Sequence, residues 1–327
     1  HMIRHANVLD AVAGQEDIAG SFGWCMFDYN THKDFGSGDR ICYHGVLDMF
    51  RNPKPAAAVY ASQEDRNPVL ELSSTMDIGE HPACNRGDTY LISNADSVRM
   101  YKNNILIKEY KQSDSKYQNL KHGPILINDY VGDAIAKEEG YSKRQAKIVK
   151  DCMNHVAMHG MQITPKLVWN AFQLICIYHM NPNDAVGLYN KYVGDWGGES
   201  KQYRFDAIKD GKVVRSLIKT PMKKASLAVS LSATTLVEDI TYDVIEARVR
   251  AVDEYGNQLY YMQESLSVTI SGPVELIGPN AVPLRGGATG LYIKSMGEPG
   301  EASVTIACAG LDPITIKLEV QSTREDN

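Results

Sequence analysis

Apolar positions along this chain change their period several times, and each change marks a different kind of element. In residues 4–13, RHANVLDAVA, the residues Val8, Leu9, Val12 and Ala13 fall at helical spacing, and Gly14 supplies a stop. The run that follows, IAGSFGWCMFDY, is apolar throughout. It is too apolar for a sheet with one wet face and predicts a buried parallel strand. NTHKDFGSGDRICYHG is polar and glycine-rich, hence a loop, and AAAVYASQ after Pro55 returns to helix formers. Helix, strand, loop and helix make one piece of an α/β layer. A buried strand needs partners for the hydrogen-bonding groups on both its edges, so this piece cannot stand alone.

From Pro68 the texture becomes short β segments separated by turns: VLELS, TYLIS, SVRMY and ILIKEY, the last two joined by Lys102-Asn103-Asn104. That pattern predicts a β-sandwich. A helical block interrupts it at about 134–200. There Ser142 and Gln145 form a capping box, Val149, Met153 and Val156 make one face, and Gly160 ends the helix. Thr164-Pro165 and Asn181-Pro182 open two further helices, each with a cap and a proline in the first turn. Asp210-Gly211 in YRFDAIKDGKVVRSLIKT is a hairpin signal that closes the sandwich. Beyond residue 226, IEARVRAV, LSVTIS, ASVTIAC and ITIKLEV alternate with glycine and proline turns and predict a second, immunoglobulin-like sandwich. The expected organisation is mainly β: a β/α unit at 1–66, a sandwich with a helical insertion at 67–226, and a last sandwich at 227–327.

Composition narrows the function classes. The chain has 327 residues, 43% of them hydrophobic, enough for two or three separate cores. Its net charge of −6 is spread over alternating acids and bases with no basic stripe, which argues against a nucleic-acid partner. No run approaches the roughly 18 apolar residues that a membrane helix needs. His1-Met2 reads as a tag remnant, so further sequence is expected upstream of Ile3. The six cysteines are scattered and none forms a CxxC pair. They are expected to be free, buried thiols of a cytoplasmic protein.

Three segments carry a resemblance that covers nearly the whole chain. GSFGWCMFDYNTH followed by YHGVLDMFRNPKPAAAVYASQ resembles the eighth strand, top loop and last helix of the (β/α)₈ barrel of glycoside hydrolase family 2. Arg51, Pro53 and Lys54 supply that family's arginine-x-proline-lysine stretch. SNADSVRMYKNNILI is similar to its serine-asparagine-alanine strand pair, and RAVDEYGNQLYYMQESLSVTISGPVELIG to the extra immunoglobulin-like domain of bacterial β-galactosidases.

The resemblance implies a retaining exo-β-glycosidase in which two glutamates about 5 Å apart act as nucleophile and acid/base. In the family these stand at barrel strands four and seven, so both are expected upstream of Ile3 and none of this chain's residues is expected to be catalytic. Glu16 lies at the wrong end of the strand. Asp28, Asp34 and Asp39 lie at or beyond its active end, yet one loop cannot present two acids across a sugar. The first 60 or so residues, lacking strand neighbours, are expected to be poorly ordered, packed on the adjacent sandwich, or paired with another copy in a homo-oligomer.

Trp24 corresponds to the tryptophan that floors the family's sugar subsite, although from the apolar run alone it reads as a core aromatic. His44, before Gly45, stands where some members place an asparagine that helps bind sodium. An imidazole is a poor ligand for a hard alkali cation, so no metal is expected, but it can hydrogen-bond a sugar hydroxyl. Asp28, Asn30 and His32 at the strand end are further substrate-binding candidates, with solvated or capping roles as the plainer reading. No Asn-x-Lys clamp of the glucuronidase type occurs between Asn30 and Arg51, which favours a neutral sugar, a β-galactoside, over a uronate.

His155 and His159 have metal-ligand spacing but lack the HExxH glutamate and a third ligand. No cofactor is expected. A different class of function is also open: the sandwiches themselves could bind glycan, with Tyr255, Tyr260 and Tyr261 as a stacking surface. Strand packing is the plainer role for those tyrosines.

Overall fold

The computed structural model describes residues 1–32, 34, 38, 40–76, 86–194 and 201–323. Two compact units divide it: His1–Asp48 with Pro53–Pro221, and Met49–Asn52 with Met222–Asn327. Most of the expected first segment thus shares a unit with the first sandwich.

Helix α1 (Met2–Ala13) buries Met2 and Ala6. After it, the expected strand does not form. Residues 18–26 are exposed apart from half-buried Cys25, with Phe22 fully exposed. Backbone pairing starts only at Cys25, whose C=O accepts from the N–H of Val46; Phe27 bridges Leu47 in parallel, and β1 (Tyr29–Asn30) runs antiparallel to β2 (Ile41–Cys42). The reason is the one that makes isolated strands unstable: the described residues offer this segment one short edge, and unpaired backbone groups turn to water. Helix α2 (Pro55–Ala61) starts with proline at its first position and buries Ala56 and Val59. These join Met2 and Ala6 against Ile92, Tyr117 and Leu120 of the first sandwich. Asp10 fixes the register by accepting from the backbone N–H groups of Asn119 and Leu120. Of the three outcomes expected for the first 60 residues, packing on the adjacent sandwich is the one seen for both helices.

The sandwich has one sheet of β3 (Leu70–Leu72), β4 (Tyr90–Ser93) and β7 (Ile125–Leu126), in order β3-β4-β7. The other sheet runs β6-β5-β8-β9, from β5 (Ser97–Lys102), β6 (Ile105–Lys111), β8 (Tyr203–Lys209) and β9 (Lys212–Lys219). Both hairpin signals are realised. Asn103 and Asn104 take φ of 47° and 65°, and Asp210 and Gly211 take 50° and 74°, the left-handed pairs of type I′ turns.

The helical insertion holds α3 (Ala134–Glu138), α4 (Lys143–His159), α5 (Pro165–Phe172), a π-helical segment Gln173–Ile177 and α6 (Asp184–Tyr192). Ser142 and Thr164 cap α4 and α5 as expected, accepting from the N–H groups of Gln145 and Leu167. Asn181 instead closes a turn onto the N–H of Asn183, and α6 begins at Asp184. Val149 and Met153 of α4 share a core with Leu70, Leu91, Tyr110, Tyr130 and Phe205. The insertion is therefore part of the fold of this unit.

The second unit pairs β10 (Ser226–Leu231), β12 (Val244–Val252), β16 (Ala288–Ser295) and β14 (Val274–Ile277) in the order β10-β12-β16-β14. Facing them are β11 (Thr235–Glu238), β18 (Ile314–Ser322), β17 (Gly300–Cys308), β13 (Ser265–Ser271) and β15 (Ala281–Pro283), in that order. Only β11 and β18 pair in parallel. Burial alternates along β12 and β17 as a half-wet sheet requires, and Leu236, Ile245, Val249, Ile293, Val304 and Ile306 fill the space between the layers.

Five cysteines lie among the described residues and all are free thiols, while Cys84 lies outside them. Cys42, Cys152 and Cys308 are buried. Cys176, expected inside, is exposed. It sits in the π-helical segment, where wider turns rotate the apolar run LICIY away from the face that an α-helical period assigns. No helix among the described residues is long and apolar enough to cross a membrane.

Candidate functional site

The strand-like stretch 25–28 is laced to 44–47 by backbone hydrogen bonds. The N–H of Val46 donates to Cys25 O at 3.0 Å, that of Leu47 to Met26 O at 2.9 Å, and that of Asp28 to Leu47 O at 3.0 Å. Gly45 makes this approach possible: a Cβ there would stand 2.2 Å from Asp28 N and 2.4 Å from Leu47 O. Trp24 ends the lace with its side chain 74% exposed, and the Trp24–Cys25 peptide is cis. The aromatic that the apolar run alone would place in a core therefore faces outward.

Asp28 points the other way. Its side chain is only 3% exposed, and Oδ1 accepts from Lys54 Nζ at 2.7 Å and from the N–H of Gly45 at 2.8 Å. The carboxylate expected to face a sugar thus faces inward, because a buried charge must find a counter-charge and donors, and Lys54 and Gly45 supply them. Lys54 also donates to Tyr43 O at 3.4 Å. Nothing in the local sequence marks Lys54 and Gly45 as the partners of Asp28. Lysine 26 positions from an aspartate leaves no periodic trace.

Asn30 and His32 are exposed at the far end of β1. His32 Nδ1 accepts from the N–H of the equally exposed Asp34 at 3.1 Å. His44 is exposed, with Nδ1 3.1 Å from the Cys42 thiol. The Tyr29 phenol is pushed up in pKa, first by its hydrogen bond with Cys42, a shift partly offset by a hydrogen bond with Trp24. Burial, then neighbouring Cys42 and Asp28, raises the Cys25 thiol. These shifts favour a neutral Cys25 thiol and a neutral Tyr29 phenol, so the described residues offer an aromatic face with hydrogen-bonding rims. Asp39 lies outside the described residues.

Away from this site, the rings of His155 and His159 sit 5.1 Å apart, with His155 Nε2 against Gln162 O at 2.8 Å. Among the described residues no group of three or more His, Cys, Asp and Glu is placed to hold a metal. Tyr255, Tyr260 and Tyr261 lie in the connection between β12 and β13 and are exposed, Tyr261 to 87%, instead of packing in strands. The turn around Asp253 carries them outward. Its carboxylate accepts from the N–H groups of Tyr255 and Asn257.

No protein-family model matches the chain. It is 34% identical over 291 residues to a β-galactosidase of Thermoanaerobacterium thermosulfurigenes. Over 305 residues it is 30% identical to a β-galactosidase of Thermoanaerobacter pseudethanolicus. The alignments cover 88% and 92% of this chain. The chain is a relative of bacterial β-galactosidases. This β-galactosidase-like chain spans about a third of the length of those relatives, 33% of each.

Solved structures agree in fold. A β-glucuronidase from glycoside hydrolase family 2 superposes with a TM-score of 0.60 at 14% identity, over 100% of this chain and 28% of its own. A β-glycosidase from Bacteroides vulgatus gives 0.56 at 16% identity, over 91% and 30%. At such identities the likeness speaks for the fold alone.

Proposed function

We propose that this chain is part of a retaining exo-β-glycosidase that removes terminal β-galactosides, and that it contributes sugar-binding surface to that enzyme without its acid pair. The observation that carries the reading is the similarity to β-galactosidases along 88% of the chain, with Trp24 exposed at the end of the laced segment. An indole face packs well on the C–H surface of galactose. Asn30, His32 and His44, exposed nearby, serve as donors and acceptors for sugar hydroxyls. Asp28 acts from behind them.

Retention of configuration requires two carboxyl groups about 5 Å apart, one on each side of the anomeric carbon. Asp28 is bound to Lys54 and Gly45, and one loop cannot present two acids across a sugar, so the nucleophile and acid/base are assigned to another part of the enzyme. Purified alone, the chain is expected to hydrolyse nitrophenyl β-galactoside no faster than a blank, whereas the protein of β-galactosidase length that contains it releases β-galactose first. Turnover by the chain alone, or release of α-galactose first, contradicts the reading.

The exposed tyrosines favour one second reading, glycan binding by the last sandwich. Saturable binding of the chain to immobilised galactan, abolished by Tyr261→Ala, would support it, and absence of binding discards it.

A further inference from the structure

Arginine-x-proline-lysine is the most recognisable motif of the chain, and its lysine has so far no part in the chemistry. We propose that Lys54 and Asp28 form a positioning pair that sets the indole of Trp24 against the sugar. This rests on the reading above, in which Trp24 floors the sugar subsite.

The geometry is that of a latch. Asp28 is gripped through its backbone by Leu47 O and through its carboxylate by the N–H of Gly45 and by Lys54 Nζ. Lys54 is in turn fixed by its own N–H donating to Val46 O at 3.0 Å, and by proline on either side of it. Four residues before Asp28 stands Trp24, a reach of at most about 14 Å of extended chain. Between Trp24 and Asp28 the segment is held by Cys25 O and Met26 O, which accept from the N–H groups of Val46 and Leu47. Residues 14–24 are exposed throughout, and Gly23 lies close to the Tyr60 hydroxyl, where a Cβ would come within 2.4 Å.

A direct sugar contact by Asp28 is excluded by its burial. A purely structural pair is the remaining rival, and it predicts different kinetics. If Lys54 works through Trp24, removing it loosens the indole, weakens ground-state and transition-state binding alike, and leaves the reacting carboxyls where they were. If Lys54 only stabilises the fold, activity falls with the folded fraction and KM stays put.

The test is a double-mutant cycle in the protein of β-galactosidase length, on the nitrophenyl β-glycoside it cleaves fastest. Trp24→Ala and Lys54→Met are each expected to raise KM about tenfold with kcat changed less than about threefold. Lys54→Arg restores most of the loss, since a guanidinium still reaches the carboxylate. In the Trp24→Ala background, Lys54→Met is expected to change KM less than about twofold. Asp28→Asn, which keeps an acceptor for Gly45 and loses the charge, falls between wild type and Lys54→Met. Multiplicative effects of the two substitutions overturn the proposal, as does an unchanged KM in Lys54→Met. An enzyme that prefers another β-glycoside over galactosides sinks the substrate reading while leaving the cycle interpretable.

Discussion

At the scale of single residues, Asp129 shows how a carboxylate is spent on structure here. It is buried, and it accepts from the N–H groups of Val131 at 3.0 Å and Gly132 at 2.9 Å, from Asn154 Nδ2 at 3.1 Å, and pairs with Lys150 Nζ at 2.6 Å. Burial alone would push its pKa up. The Lys150 and backbone hydrogen bonds outweigh that penalty and hold it below the usual carboxylate value. A folded-state pKa below the unfolded value adds stability that is fully present above the unfolded pKa of about 3.9 and disappears as pH falls through the folded value. Asp129→Asn is therefore expected to cost about 3 kcal/mol at pH 7 by urea unfolding, with the gap to wild type shrinking below pH 4. A gap that stays constant down to pH 2 would show that the charge does not matter. Asp28 is likewise engaged in structure, with Lys54 Nζ and the N–H of Gly45 as its partners.

Among the elements, the helical insertion carries its own weakness. An apolar pocket of about 400 Å³, open on one side, lies between α4, α5, the π-helical segment and α6, lined by Met153, Leu167, Ala171, Leu174 and Leu188 among others. The pocket opens to solvent at Met161, Ile175 and Val186, so part of its apolar lining is wet, and Ala171→Met, which covers more of it, is expected to raise stability by about 1 kcal/mol. The urea midpoint checks it, and a lower midpoint would mean that the space is needed as it stands. The caps and turns of this region were legible because their chemistry is local: Ser142, Thr164, Asn103-Asn104 and Asp210-Gly211 each satisfy the backbone within a few residues. The segment 18–26 was not, because an apolar run says only that a strand could be buried. Whether it is depends on neighbours that no local pattern names. Cys176 was misplaced for a related reason, since a π-helical turn breaks the period on which its burial was argued.

For the whole molecule, the order of motifs was enough to expect the two sandwiches and the resemblance to family 2, and relatives 30–34% identical support that expectation. The resemblance makes Trp24 a sugar-subsite candidate, a role that its apolar surroundings in the sequence do not suggest. The Asp28–Lys54 link did not follow from it, since it joins a strand end to the start of a helix through a loop. The proposed function amounts to a division of labour in which this chain holds and presents the sugar while the reacting carboxyls stand elsewhere in the enzyme. A retaining enzyme forms a covalent glycosyl ester on its nucleophile, and 2-deoxy-2-fluoro-β-galactosyl fluoride traps that ester. Treating the protein of β-galactosidase length with this reagent and mapping the labelled peptide by mass spectrometry is the most direct measurement. The label is expected on a glutamate outside residues 1–327, and a label on any residue of this chain, such as Asp34 or Asp48, would contradict the account.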